Sequence, residues 1–365
     1  MEVTSVRIKV SKEKQFIERI YNGYGFSRKD SALIADTLVD ADLRGITSHG
    51  VQRLAMYDRK IRSKYIIPYN KWTVLNQTKT SVLVDANHTM GQLVSVFAMD
   101  HIINKAQRHG LAIGIVRNSN HFGAAGYYAR MAAKKGLIGI TSTNTNPLLV
   151  PPHARQPFLG SNPLAFAFPT RTGSFVFDAA TSTVSLGKIE VLLKNNRQVP
   201  GEWAIDGNRE QQNDPQTILD ELSRAHRLGG ILPLGGLDEA NSNYKGFGIS
   251  LIVECLTSIL AQGSISADLG NKNHDISHFF LALDPTLFGS LDDIEGSLSD
   301  MLERMRHLDH LPDDEITIPG DKEIQNYDKN QTNGVVVDEK TLNEVNEIAD
   351  RLGVSELVTS NTIRE

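Results

Sequence analysis

The sequence predicts an α/β protein, and three patterns carry that reading. LAIGIV at 111–116 is a continuous apolar run bounded by glycine and polar residues, which suits a buried strand. Residues 92–109 keep the apolar period of an amphipathic helix and stop at Gly110, a residue that readily takes the left-handed terminating conformation. LAFAFP and SFVFDAA read as strands joined by the turn TRTG. Helices alternating with buried strands pack helical faces against a sheet.

The other elements follow the same logic in chain order. Residues 11–44 form two helices: Phe16, Ile17, Ile20 and Tyr24 share a face, and Ser27 with Asp30 makes a capping-box-like start to the second. A turn-rich stretch around Pro68 and Asn70 leads to a strand at 81–86. Helix 124–135 and strand 137–142 complete a strand–helix–strand unit with 111–116. A polar region at 194–214 precedes helices near 215–228 and 246–262, then a strand at 278–284. Two further helices are expected at 291–308 and 338–352, with Leu342, Val345, Ile348 and Leu352 at helical spacing in the second.

Composition narrows the function. With 38 Lys+Arg against 43 Asp+Glu the chain carries a formal charge of −5, so nucleic acid is not an expected partner. The single cysteine, Cys255, excludes an intrachain disulfide and a cysteine-based zinc site, and its apolar neighbours read as those of a small buried hydrophobe. The apolar run 247–260 is broken by Ser250, Glu254, Thr257 and Ser258, too polar to span a bilayer. With an N-terminus unlike a secretory signal, the expectation is a cytoplasmic protein with no membrane partner. No Gly-x-Gly-x-x-Gly occurs, and Gly187-Lys188 is followed by Ile189, so neither the Rossmann fingerprint nor a Walker loop is present. His274/His278 and His307/His310 have spacings compatible with a metal, but no carboxylate ligand is implied beside them and surface or helix-face histidines are far commoner, so no metal is expected.

Five segments can carry chemistry. In DLRGITSHGVQRL, Arg44, Ser48, His49 and Arg53 could grip a carboxylate, since a guanidinium fork matches its two oxygens. A helix C-terminus also collects cations through its dipole, so both readings stand. RNSNHFG, after strand 111–116, puts Asn120 and His121 where open α/β sheets bind ligands. His121 is there an acid–base candidate or a histidine satisfying a turn. TNTNP at 143–147 and GSNP at 160–163 are Asn-Pro turns whose amides and hydroxyls can face a ligand or simply hold the turn. DAATS at 178–182, leading to LGKIE, and YKGFG at 244–248 open helices with small residues, which would suit a pyrophosphate.

In this order the segments resemble the malate/L-lactate dehydrogenase family that is unrelated to Rossmann-type enzymes and includes ureidoglycolate, sulfolactate, diketogulonate and ketimine members. The resemblance runs from DLRGITSHGVQRL through SNHFGAAGYYA, LGSNPLAFAFP and FDAATS to YKGFG and HFFLALDP, covering residues 10–325. It implies a mixed α/β sheet of the sulfolactate dehydrogenase-like type, binding a nicotinamide cofactor, NAD or NADP, without the glycine fingerprint. On that pattern residues 1–80 form a helical substrate and dimerisation region. Residues 81–250 form the cofactor-binding domain, and 251–365 return to pack with the N-terminal part. The resemblance implies a homodimer acting on a small 2-hydroxy or 2-keto acid.

Carried over by position, the resemblance makes His121 the proton acceptor and His49 a proton donor, with Arg44, Ser48, Arg53 and Asn120 at the substrate carboxylate. Cofactor contacts fall on Thr145, on Asp178, Ala179, Ala180, Thr181 and Ser182, on Lys245, and on Gly320 and Asp321. The sequence departs from the family pattern at Pro152-His153-Ala154-Arg155, at Leu186 where arginine is frequent, and around 208–214. The implied reaction is hydride transfer between a 2-hydroxy acid of the malate or L-lactate type and its keto acid. A ketimine or diketogulonate-type reductase and a non-catalytic cofactor-binding member are the alternatives.

Overall fold

The computed structural model describes residues 5–69, 71–270 and 273–357. The chain opens with strand β1 (Ser5–Ile8), helices α1 (Val10–Gly23), α2 (Arg28–Leu43) and α3 (Leu54–Arg62), then strands β2 (Thr73–Gln77) and β3 (Ser81–Asp85). It continues through α4 (Gly91–His109), β4 (Leu111–Ser119), α5 (Ala125–Ala133) and β5 (Ile138–Thr143) to the hairpin β6 (Leu164–Thr170) and β7 (Gly173–Ala179). A smaller lobe follows: α6 (Leu186–Lys194), β8 (Ala204–Asp206), α7 (Pro215–Ser223) and β9 (Gly229–Ile231). The last elements are α8 (Asn243–Glu254), β10 (Ile276–Leu283), α9 (Leu291–Arg306), α10 (Asp321–Asn333), β11 (Val335–Asp338) and α11 (Glu339–Leu352).

The central sheet is mixed and seven-stranded, ordered β2-β3-β4-β10-β5-β6-β7. β3 and β4 run parallel, whereas β10 lies antiparallel to both β4 and β5. The expected strand–helix–strand unit is therefore opened: β4 and β5 are not neighbours, because β10 inserts between them some 130 residues later in the chain. Periodicity identifies a buried strand but not its partner.

Local signals explain most boundaries. Ser27 Oγ accepts the Asp30 amide at 3.1 Å, as the capping pattern requires. Gly110 ends α4 at φ 85°. Pro215 opens α7 behind Asp214, whose carboxylate accepts the Thr217 amide at 2.8 Å. Three expectations are corrected. β4 runs on to Ser119, so the ligand-facing loop begins at Asn120, and Arg117 pairs with Asp85 at 3.4 Å. Helix α7 ends at Ser223, short of 228. Cys255 is exposed, because α8 and the π-turn that extends it (Cys255–Ile259) lie at the surface, leaving Ile252 and Ile259 more than half exposed as well.

Two large cores result. Residues of α4 and α5 fill one against the sheet, with Phe280, Phe122 and Tyr128 fully buried among them. The other joins α1, α2, α3 and α11, with β1 paired to β11; the tail residues Leu342, Val345 and Ile348 close it. The tail thus packs on its own chain. α3 and the start of α4 lie where these two cores meet, above the end of β4.

Candidate active site

Three segments converge beyond the carboxyl end of β4. His121 follows the strand, and its ring stacks on His49, with centroids 5.6 Å apart and planes inclined by 20°. Ser48 Oγ lies 2.9 Å from His49 Nδ1. Tyr57 of α3 reaches His121 Nδ1 at 2.7 Å, and the Gln92 amide of α4 donates to the Tyr57 hydroxyl at 2.7 Å. The backbone amide of Gly123 also points at His121 Nδ1, at 3.3 Å. Nε2 of His121 has no hydrogen-bond partner among the described residues.

The backbone permits this crowding at glycines. A Cβ on Gly91 would collide with the carbonyl oxygens of Asn120 and His121, so only glycine lets α4 begin directly over the histidine. A Cβ on Gly50 would enter the buried carboxylate of Asp42, which accepts the Val51 amide at 2.6 Å and so anchors the His49 loop. Glu13, also fully buried, lies against Asp42; burial raises both carboxyls, Asp42 to about 6.

Electrostatics follow from this burial. Desolvation pushes His49 down to about 3, with Arg53 adding repulsion. Burial likewise holds His121 well below the usual imidazole range, reinforced by His49, Arg53, Lys60 and His278. Both rings are neutral near pH 7 and able to accept a proton. Arg53 is fixed by Glu190 at 2.8 Å and by the Ser48 carbonyl, and its guanidinium lies so close to Gly187 that a Cβ there would strike it. Lys60 follows Arg53 and Tyr57 at helical spacing; burial and Arg53 lower its ammonium to about 8. Among the described residues it has no ion-pair partner.

The structure thus brings together four of the expected residues: Ser48, His49, Arg53 and His121. Asn120 sits behind them, its amide nitrogen spent on the Tyr65 carbonyl at 2.9 Å while its buried Oδ1 has no partner. Arg44 goes elsewhere. It is held by Asp40 at 3.1 Å and lines a cavity of about 970 Å³ together with Asp178 and Gly320. Sequence reasoning missed Tyr57, Gln92, Lys60 and Glu190. The i, i+4, i+7 series Arg53, Tyr57, Lys60 was the available signal for two of them.

That cavity collects part of the expected cofactor set. Asp178 is buried, accepts the Gly126 amide at the start of α5 at 2.7 Å, and is raised by desolvation against the pull of that amide and Arg130. Gly320, at φ 100°, lies against Val176, whose carbonyl oxygen a Cβ would meet at 3.0 Å. A left-handed glycine cradle beside a helix N-terminus, in a cavity of this size, fits a dinucleotide. Asp321 is already committed to Arg306 at 2.7 Å, which lowers its carboxyl. Thr145, Thr181 and Ser182 form a separate hydroxyl-rich cluster: Thr145 Oγ1 accepts the Ser161 amide at 2.9 Å, and the Thr181 amide donates to the Ser161 carbonyl at 2.9 Å. Lys245 is exposed at the start of α8, next to Tyr244.

A mixed sheet without a glycine fingerprint, a dinucleotide-sized cavity and paired neutral histidines beside an arginine define a non-Rossmann dehydrogenase. The comparisons agree. The pattern described as malate/L-lactate dehydrogenase matches residues 8–346. The chain is 38% identical to a malate dehydrogenase of Pyrococcus abyssi over 96% of each chain. It is 32% identical to a malate/(S)-sulfolactate dehydrogenase of Methanothermus fervidus, over 95% of this chain and 98% of that one. The crystal structure of malate dehydrogenase from Entamoeba histolytica superposes with a TM-score of 0.93 at 30% identity, covering 96% of this chain and 99% of that one. The chain belongs to the malate/L-lactate dehydrogenase family, whose dehydrogenase members imply a nicotinamide cofactor. Among the described residues no helix is long and apolar enough to cross a membrane.

Proposed function

We propose that the protein interconverts a 2-hydroxy dicarboxylic acid of the malate type and its 2-keto acid, using NAD or NADP. The carrying observation is His121: a ring kept neutral by burial, tied at Nδ1 by Tyr57, with Nε2 left unpartnered. In the oxidative direction Nε2 accepts the 2-hydroxyl proton, and in reduction the imidazolium returns it to the carbonyl oxygen. The nicotinamide supplies the hydride exchange. His49, stacked on His121 and bonded to Ser48, supports or shares the proton. Arg53, steadied by Glu190, holds the carboxylate beside C2, with Ser48 and Asn120 flanking it. Lys60, a cation with no carboxylate partner among the described residues, favours a second acidic group on the substrate over the methyl group of lactate.

The cofactor contacts proposed are Asp178 through Ser182, Gly320, Thr145 and Lys245, with Asp321 serving chiefly to hold the 318–321 turn through Arg306 and the Ile318 amide. Arg44, on the same cavity, acts on that side rather than at the histidines. A homodimer is supported by the exposed apolar surface of Ile249, Ile252, Ile259 and Leu260 along α8 and its extension, and sedimentation would test it. Residues 1–80 and 251–365 would contribute the substrate and dimerisation surfaces around the 81–250 cofactor domain. A cytosolic location suits an exposed, unpaired Cys255.

The test mixes purified protein with NADH or NADPH and oxaloacetate, pyruvate or a cyclic imine carboxylate, following cofactor absorbance. Oxaloacetate should be reduced fastest, and Lys60→Met should narrow its advantage over pyruvate. Turnover of the imine alone would overturn the hydroxy-acid reading.

A further inference from the structure

The His121 ring is controlled from behind by two fully buried side chains, Tyr57 and Gln92. The Tyr57 hydroxyl lies 2.7 Å from both His121 Nδ1 and the Gln92 amide nitrogen. Because the amide nitrogen donates to the tyrosine oxygen, the hydroxyl proton is directed at Nδ1, which also faces the Gly123 amide at 3.3 Å. With Nδ1 an acceptor, the neutral ring carries its proton on Nε2. In that tautomer the nitrogen open to the cleft has no lone pair, so it cannot take a proton from a hydroxyl group.

We propose that Gln92 and Tyr57 form a reversible relay that selects the His121 tautomer, and that turnover uses the state in which the Gln92 amide is turned end for end. Its oxygen then occupies the position 2.7 Å from the Tyr57 hydroxyl and accepts that proton. The tyrosine oxygen accepts a proton from Nδ1, and Nε2 presents its lone pair to substrate. The imidazolium formed by oxidation bears a proton on each nitrogen, and only the turned relay accepts the one on Nδ1. Gln92 Oε1 is buried without a partner in the orientation observed. Turning the amide satisfies that oxygen and leaves the nitrogen unpartnered instead. Each orientation is thus short of one bond, and the long Gly123 contact is surrendered on turning. The two states hold the same number of protons: the ring releases its Nε2 proton to water in the cleft and takes one from water on Nδ1, while the hydrogen bonds of the Tyr57 hydroxyl and the Gln92 amide are redirected.

Tyr57 and Gln92 are positioning residues, acting through the ring, and the proposal rests on His121 as the acid–base group. The charged and titratable groups facing His121 are His49, Arg53, Lys60 and His278. Three variants test it: Tyr57→Phe, Gln92→Leu and Gln92→Glu, each checked for folding by circular dichroism. The ring tautomer is read from the imidazole 15N shifts of the free protein, and the pH profile from kcat/KM for oxidation. Tyr57→Phe and Gln92→Leu should lower oxidative kcat about tenfold or more, a share of the roughly 10²–10⁴-fold that a general base supplies, with KM little changed. Gln92→Glu, an acceptor when ionised, should shift the neutral ring to the Nδ1–H form, retain kcat and move the acidic limb to higher pH. An unchanged 15N signature and pH profile in Gln92→Glu, or full oxidative kcat in Tyr57→Phe, overturns the relay. If His121→Ala is inactive while Tyr57→Phe is not, only the relay fails. If His121→Ala retains turnover, the assignment of His121 fails and takes the relay with it.

Discussion

His121 precedes Phe122 in the chain, and the Phe122 ring stacks on His278 at 4.5 Å with planes 6° apart. Burial lowers both imidazoles, His278 to about 3. Their hydrogen bonds differ. His278 lies inside β10 with Nδ1 2.8 Å from Thr143 Oγ1 and Nε2 2.7 Å from Ser119 Oγ, tying β10 to both of its neighbours in the sheet. His121 is tied at one nitrogen only. A depressed pKa therefore marks both rings, and the spare nitrogen, rather than the titration, separates a chemical histidine from a structural one.

The largest effect that could break this contrast is on turnover. His121→Ala should lose about 10²–10⁴-fold in kcat while unfolding at nearly the same temperature. His278→Ala should do the reverse, losing about 2–4 kcal/mol of stability through the cavity and two stranded hydroxyls. Calorimetry beside kinetics reads both, and an inactive but fully stable His278→Ala would dissolve the distinction. Next in size is substrate affinity: Arg53→Lys keeps the charge but loses the fork, and KM for the keto acid should rise by about tenfold.

The pH dependence of stability sharpens the comparison further. Unfolded histidines bind a proton below about pH 6.5, whereas His278 and His49 in the fold resist it down to about 3. Between those limits the unfolded chain holds more protons, so stability falls as pH drops through this window. Asp42 has the opposite sign. Its pKa is raised to about 6, the folded state holds the extra proton, and that stabilisation is lost as pH rises through 6. Denaturant unfolding from pH 7 to 4 should show a shallower acid loss in His278→Gln than in the parent chain.

Much of the fold was legible along the chain. Ser27, Gly110 and Pro215 act within one turn of themselves, so their capping roles can be read locally. His49 and His121 were legible as candidates because each stands in a polar, glycine-flanked segment beside a regular element. Gln92 was not, being an ordinary position on an amphipathic helix; Tyr57 was signalled only by its helical spacing from Arg53, and nothing local tied it to His121, 64 residues away. Glu190 is 137 residues from Arg53. The family resemblance made Asp321 a cofactor residue, while its carboxylate is taken by Arg306, fifteen positions away. Cys255 looked buried because its neighbours are apolar, yet it lies on the outward face of the segment with Ile252 and Ile259, while the polar Ser250, Glu254, Thr257 and Ser258 turn inward.

By itself the sequence determined most of the central helices and strands, several of their caps, and which side chains are capable of acid–base chemistry or carboxylate binding. Those properties depend on periodicity, capping and functional groups within a few residues. It did not announce β1, α10 or β11, nor the true ends of β4 and α7. Only the tertiary structure decided that β10 enters between β4 and β5, that Arg44 faces the cavity lined by Asp178 and Gly320 while Arg53 stays with the histidines, and which nitrogen of His121 is left free among the described residues. The reason is physical: burial and hydrogen-bond saturation are set by atoms brought together from distant parts of the chain, and the chemistry of a histidine depends on both.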